Sequence, residues 1–320
     1  MKLYNGVLYV GFIITILGIY EFFLNDFIFK SYIRSDYLVT LSDVAYSSYR
    51  IRTFFYHPIV YANFLVILFC INNFVNKSTF SKMILNLLII SNLIMTQTRS
   101  AWISFILIVI ILYIRNKFIL NKNENKKRSI NPYLKLALIS LASIFLINLA
   151  FLFSDYFVEV YSYIMHRVFD LQSSYGAISF YQRFFAFVVI FHEVFMNIDF
   201  PHMIFGHGLG TSGAFMKTQQ SYISGFATTD NTYLDILYDS GIVGLILIIW
   251  LHVFLVAKFV NKNASNFFIC NYLIFIATSI NLFFYSILGW DIIIFFYLLS
   301  LSFMLIEIKI MSKVTRSNIK

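Results

Sequence analysis

The sequence predicts an all-α protein: a polytopic transmembrane helix bundle of about eight spans, with one large external loop containing amphipathic helices. Hydrophobic residues make up 60% of the chain and charged residues 12%, whereas a soluble domain carries about a quarter charged residues. The mean hydropathy is +0.78, and apolar runs long enough to cross a bilayer follow one another along the chain. This composition requires surrounding lipid and excludes a soluble globular domain.

Eight apolar runs define the predicted spans. The first is too long for the core of a signal peptide and no small-residue cleavage site follows it, so we predict a retained span. The three prolines lie outside the runs or at their edges, which suits uninterrupted helices. We predict one integral membrane domain over residues 1–320, with spans at 3–24, 59–75, 83–96, 101–114, 136–153, 242–260, 267–288 and 292–308.

The distribution of charge predicts the topology. Segment 115–135 is the most basic part of the chain, and basic residues also mark the turn at 77–82 and the C-terminus. Because basic loops stay in the cytoplasm, both termini are predicted to be cytoplasmic. The net charge of +9 is explained in this way, without a nucleic-acid partner. Loop 154–241, between the fifth and sixth spans, is then external.

This large loop is rich in acidic residues and is not a polar linker. Apolar residues recur at helical spacing over 156–171, which is typical of a helix lying at the membrane interface. A second apolar stretch, 184–195, suits an interfacial or re-entrant helix, and a ninth span there would break the charge pattern. The two cysteines, Cys70 and Cys270, lie in apolar runs, so no disulfide framework is predicted.

Several charged residues have two interpretations. Arg99 lies between two apolar runs, where an arginine either grips a phosphate or carboxylate or marks the membrane edge. Arg50 and Arg52 lie on the external side, against the general trend, either as ligand-binding residues or as exposed loop charges. Asp230 precedes the sixth span, where a carboxylate is also a good helix cap.

The glycine-rich stretch 206–211 is not a dinucleotide fingerprint, because no predicted strand precedes it. Its glycines allow a tight turn, and its backbone N–H groups would suit an anion. On a helix, Asp235 and Asp239 would share a face. No metal-ligand spacing of cysteine and histidine occurs, so we expect neither a metal nor a cofactor.

Four motifs in order resemble those of the O-antigen ligase and polysaccharide repeat-unit polymerase (Wzy-like) family of bacterial envelopes. The resemblance covers nearly the whole chain. The motifs are Arg-x-Arg-Thr-Phe with His-Pro at 50–58, Thr-Arg-Ser-Ala-Trp at 98–102, Tyr-Gln-Arg at 181–183 with Gly-His-Gly-Leu-Gly at 206–210, and Asp-Asn-Thr-Tyr-Leu with Gly-Ile-Val-Gly at 230–244.

The resemblance implies glycosyl transfer outside the cytoplasm, from a glycan on a polyprenyl diphosphate to a sugar hydroxyl, without metal or nucleotide. It assigns Arg99 and Arg183 to the diphosphate, with Arg52 as a third cation, because a guanidinium matches phosphate oxygens. Asp230 is the predicted base, with His207 second. Ligases of the family carry His where this chain has Asp230, which favours a polymerase.

The predicted function is therefore polymerisation of lipid-linked repeat units of O-antigen, capsule or exopolysaccharide. The alternatives are ligase-type transfer to a final acceptor, a lipid-linked glycan flippase, and a sensor or scaffold without catalysis. A flippase should carry charged residues in its spans, which here look nearly free of them apart from His252. The predicted partners are a polyprenyl-diphosphate-linked oligosaccharide, membrane lipid, and other polysaccharide export and chain-length proteins. The predicted location is the inner (cytoplasmic) membrane, with an external active face.

Overall fold

The computed structural model describes residues 2–32, 49–55, 57–76, 78–120, 174–197, 199–219, 228–261, 264–286 and 290–317. Over these residues the chain is helical and contains no strand, which confirms the all-α class. The helices are α1 (Lys2–Leu24), α2 (Pro58–Val75), α3 (Thr79–Thr96), α4 (Arg99–Ile114), α5 (Ser174–Met196), α6 (Phe200–Phe205), α7 (Ser212–Thr218), α8 (Thr232–Phe259), α9 (Asn266–Asn281) and α10 (Asp291–Ser317).

The protein is a multi-pass membrane protein. Six helical segments are long and apolar enough to cross a bilayer: α1, α2, α3, Arg99–Lys117, α8 and Asp291–Met311. Helix α9 is apolar but shorter, and α5 is not among the six. The predicted spans other than 136–153 fall on these helices, except that α9 ends at Asn281, before the end of the predicted span 267–288. That span and the predicted interfacial helix 156–171 lie outside the described residues, so the count of eight stays a prediction.

The described residues form two compact units. The first comprises those within 1–169, 260–278 and 295–320, and α2 lies at its centre. Of the spanning window of α2, 89% is buried, against about a third of those of α1, α3 and α4, whose remaining surface suits lipid. Helix α2 begins sharply because the His57 side chain accepts from the Ile59 N–H and Pro58 occupies the first turn.

Polar side chains join the helices of this first unit in their apolar surroundings. The Tyr61 hydroxyl of α2 donates to Asn92 Oδ1 of α3 at 2.8 Å, and Asn92 Nδ2 donates to the Thr15 carbonyl of α1 at 3.0 Å. Within a bilayer no water competes for these groups, so such bonds give close packing a defined register.

Ionisable groups within the spans are more numerous than His252 alone. Glu21 is fully buried three residues before the end of α1, and Glu307 of α10 accepts from Ser265. Helix α8 begins at Thr232, inside the predicted loop 154–241, and therefore includes Asp235 and Asp239. One acid in a long apolar run barely changes its hydropathy, which explains why Glu21 escaped the sequence prediction.

The second unit comprises the described residues of 170–259 and 279–294. Its core joins α5, α7 and the first part of α8 through the buried side chains of Ala186, Ile190, Val194, Met216, Leu234, Leu237 and Tyr238. Helix α8 is kinked at Gly241, whose φ of 64° and ψ of −163° are not helical. The predicted sixth span, 242–260, corresponds to the limb after this kink.

Candidate functional site

The kink in α8 anchors the glycine-rich loop 206–211. In an unbroken helix the carbonyls of Tyr238 and Asp239 would accept from the backbone three to four residues further on. At the kink they accept instead from the N–H groups of His207, at 2.9 Å, and Gly208, at 3.0 Å. The loop and the helix are thus joined backbone to backbone.

The carboxylate of Asp239 completes the anchoring. Its Oδ2 accepts from the Gly210 N–H at 2.7 Å, and its Oδ1 accepts from the Ser212 N–H at 2.8 Å and the Thr211 hydroxyl at 3.3 Å. The predicted turn is present. Of the loop N–H groups that would suit an anion, that of Gly210 is bonded to the chain's own carboxylate, and those of His207 and Gly208 are bonded to carbonyls of α8. Through the Ser212 N–H the carboxylate also satisfies the start of α7.

Replacing Asp239 should release this loop. Two backbone donors lose a charged acceptor in Asp239→Ala, so we expect unfolding to become easier by about 3 kcal/mol. Hydrogen exchange over 206–219 should become faster in the purified protein, and Asp239→Asn should show a smaller effect. Asp199→Ala is the matched control, since this acid is exposed and pairs with its neighbour His202. Unchanged exchange in Asp239→Ala would contradict the assigned role.

Asp230 lies directly before α8 but is not its cap. The cap is Asn231, whose Oδ1 accepts from the N–H groups of Tyr233 at 2.9 Å and Leu234 at 3.3 Å. Asp230 adopts a left-handed backbone conformation with φ of 49°, which aspartate tolerates better than most residues. Its carboxylate contacts Thr228 and Arg183, and the capping alternative applies to the neighbouring residue.

Arg183 of α5 faces this carboxylate. Its Nη2 lies 3.9 Å from Asp230 Oδ2, and the two side chains are 36% and 29% exposed. The same Nη2 donates to the Phe284 carbonyl at 3.4 Å, while the buried Nε has no hydrogen-bond partner among the described residues. At 3.9 Å the pair interacts by charge without a direct hydrogen bond. The guanidinium and the carboxylate are thus close to each other, and both are partly exposed.

Two opposing effects act on the pKa of Asp230. Burial raises the pKa of Asp230 above its ordinary value, and the charge of Arg183 and the Thr228 hydrogen bond counter that rise. The Thr228 hydroxyl donates to Asp230 Oδ1 at 3.2 Å. A carboxylate with a raised pKa is a better proton acceptor than an ordinary aspartate.

His207, the second predicted base, is part of an aromatic stack. Its ring lies 4.6 Å from that of His202 and 4.3 Å from that of Tyr238, nearly parallel to both. Its Nδ1 is 3.3 Å from the Tyr238 carbonyl. Both faces of the ring are covered, and these contacts do not include the Arg183–Asp230 pair. Its catalytic role stays a prediction with less geometric support than that of Asp230.

In the first unit, Arg50 links two of the predicted motifs. Its Nε donates to the Thr96 carbonyl at 2.9 Å and its Nη2 to the Thr98 hydroxyl at 3.1 Å. Trp102 Nε1 donates to the Leu93 carbonyl at 2.8 Å, so the turn between α3 and α4 is held from both sides. Arg99 is the first residue of α4 and is partly exposed.

Arg52 is 5% exposed and Arg50 is 9% exposed, which rules out the exposed-charge alternative for both. The guanidinium carbon of Arg52 lies 4.5 Å from the centroid of the Phe27 ring. Close to these cations, burial and then the charges of Arg50 and Arg52 lower the pKa of His57 to about 3. His57 is therefore neutral near pH 7 and serves as the cap of α2.

The structure brings Arg183 and Asp230 together in the second unit, and it places Arg50, Arg52 and Arg99 in the first. Sequence reasoning missed the anchoring role of Asp239 and the buried Glu21, and only the shared face of Asp235 and Asp239 hinted at the former. Over the part of the chain that the structure describes, no three His, Cys, Asp or Glu side chains converge as a metal site.

Comparison with known proteins gives one family match. The family model described as O-antigen ligase matches residues 84–249, just over half of the 320-residue chain. The match contains Arg99, Arg183, His207 and Asp230. No curated protein matches the chain.

Proposed function

The chain belongs to the O-antigen ligase family of glycan-transferring membrane proteins, and we propose that it polymerises polyprenyl-diphosphate-linked oligosaccharide repeat units. The product is O-antigen, capsule or exopolysaccharide, and the transfer takes place on the external face of the cytoplasmic membrane. The observation that carries the proposal is the pairing of Arg183 with an Asp230 that has no capping role.

The pair supplies the two groups that such a transfer needs. A sugar hydroxyl of the acceptor gives its proton to Asp230 and forms a bond to the anomeric carbon of the donor. The bond from that carbon to the diphosphate breaks, and the leaving diphosphate keeps the electron pair. Arg183, 3.9 Å from Asp230, is proposed to stabilise this leaving group with its permanent charge. Arg99 and Arg52 are proposed as further cations that bind the donor through its diphosphate and glycan, and the proposed transfer uses no metal.

Two observations bear on whether the chain is a polymerase or a ligase. The family description names a ligase, whereas the aspartate at position 230 replaces the histidine of the ligases that the chain resembles. We therefore propose a lipid-linked repeat unit as the acceptor. Deletion of the gene should abolish long chains and retain single units on the cell surface. Loss of all surface glycan would contradict the polymerase and favour a ligase or a flippase.

The variant Arg183→Lys tests whether the pairing of Arg183 with Asp230 serves the transfer. Lysine keeps the charge but has no planar fork, and loss of a contact to developing charge should lower the rate about a hundredfold. Long-chain glycan, resolved by gel electrophoresis of complemented cells, should be nearly absent while the protein is inserted at the normal level. Lys217→Arg is the control, because Lys217 is an exposed cation of the same unit. A normal ladder in Arg183→Lys would reject Arg183 as a diphosphate ligand.

The proposed orientation makes a separate prediction. A cysteine replacing Leu209, which is 87% exposed, should react with a membrane-impermeant maleimide in intact cells, and one replacing Ser129 should react only after lysis. The native Cys70 and Cys270 are buried and should contribute little background. Labelling of position 129 from outside would show that the topology is the opposite of the proposed one.

A further inference from the structure

Glu21 is a fully buried carboxylate within a spanning helix. A buried carboxylate is unfavourable unless donors surround it. Its Oε1 accepts from the Tyr49 hydroxyl at 2.6 Å and from the Arg52 N–H at 2.9 Å. Both donors belong to the short segment that leads into α2. Glu21 therefore fixes this segment against the end of α1.

The same end of α1 also orients the Arg52 side chain. Phe27 follows α1 by three residues, and its ring lies under the Arg52 guanidinium at 4.5 Å. The Tyr49 ring lies 6.0 Å from the guanidinium carbon. These are cation–π distances. The backbone of Arg52 is thus held by Glu21 and its charged group by Phe27, both supplied by α1 and the residues just after it.

Three buried polar atoms of this cluster have no hydrogen-bond partner among the described residues: Arg52 Nε, Glu21 Oε2 and Thr53 Oγ1. Thr53 is also held at φ of 47°, a strained value for a β-branched residue. Buried polar atoms are nearly always bonded. The Arg52 donor suits anionic oxygens, and the Glu21 acceptor and the Thr53 hydroxyl suit hydroxyl groups, which are the groups of a phosphate-bearing sugar.

We propose that Glu21 is a positioning residue that holds Arg52 in place to bind the phosphate-bearing glycan donor. Helix α1 lies outside the family match at 84–249, and this role gives it a function in donor binding. The inference rests on the proposed function. Glu21 exchanges no proton with the substrate and acts through Arg52.

Steady-state kinetics of the purified full-length protein test this inference, with the lipid-linked repeat unit extracted from a deletion strain as the probe. We expect Glu21→Ala and Arg52→Ala each to raise KM about tenfold and to leave kcat within about twofold. Glu21→Gln keeps the Oε1 acceptor and should restore KM to within about threefold of wild type. The double variant should have the KM of Arg52→Ala alone, because Glu21 has no other route to the substrate.

Tyr49→Phe removes only the hydroxyl that bonds Glu21, and it should also raise KM. This variant tests the positioning role of Glu21 if Glu21→Ala fails to fold. Thr15→Val is the control, since Thr15 is a buried polar residue of α1 that bonds only its own helix through its side chain. A wild-type KM in Tyr49→Phe, or full additivity in the double variant, overturns the inference. Failure of the wild-type protein to extend the lipid-linked unit would instead overturn the proposed function.

Discussion

Asp230→Asn should abolish long-chain glycan while the protein folds and inserts normally. Asparagine keeps the size of the side chain and tolerates the left-handed backbone at φ of 49°, but it cannot accept a proton. General-base catalysis contributes about 10²–10⁴-fold to a rate, so the loss should be visible as a ladder reduced to single units. The start of α8 should be unaffected because Asn231 provides its cap.

The matched control for this variant is Asn231→Ser. Serine is also a good cap, so this change at the true cap should leave the ladder normal. Asp230→His, which restores a proton acceptor, should recover part of the activity. Normal chain lengths in Asp230→Asn would show that Asp230 is not the base, and His207 would then be the next candidate.

The pH dependence gives an independent readout of the same group. Asp230 acts as a base only when ionised, so activity should fall as pH falls through its raised pKa. Thr228→Val removes a hydrogen bond that lowers this pKa, and the acid limb of kcat/KM should therefore move to higher pH. A profile that does not move would show that another group sets the acid limb.

Gly206→Ala should give the largest structural effect. A Cβ atom there would lie 2.3 Å from the Asp239 backbone carbonyl, at a φ of 77°. The backbone strain and the clash together should lower the free energy of unfolding by about 3 kcal/mol or more. Gly241→Ala meets the same obstacle from the other side, with the Ile204 carbonyl at 2.4 Å.

Gly210→Ala is the control for that experiment. Its φ is 80°, yet nothing lies within 4 Å of an added Cβ, so only the backbone strain of about 1 kcal/mol applies. Titration of the purified protein with SDS in detergent micelles compares the variants. Equal midpoints for Gly206→Ala and Gly210→Ala would show that the close backbone approach contributes nothing.

Hydropathy and charge were sufficient to predict the all-α membrane class, because a spanning helix is specified by about 20 consecutive residues. The site was harder to predict from the sequence, for physical reasons. The cap of α8 differs from the predicted alternative by one residue, and that shift depends on the backbone conformation of Asp230. Asp239 bonds a loop about thirty residues earlier in the chain, and no local pattern reports such a contact. Glu21 is invisible to hydropathy because its neighbours are apolar.

The backbone pairing at the kink of α8 has a consequence for divergence among related chains. The bonds at 207 and 208 use main-chain atoms, so they place no requirement on the side chain at the tip of the loop. Leu209, at the tip, is almost wholly exposed. Substitutions at that tip can therefore accumulate without breaking the contacts between the loop and α8, provided that Gly206, Asp239 and Gly241 are kept. Variation at this exposed tip is thus separated from the requirements of folding.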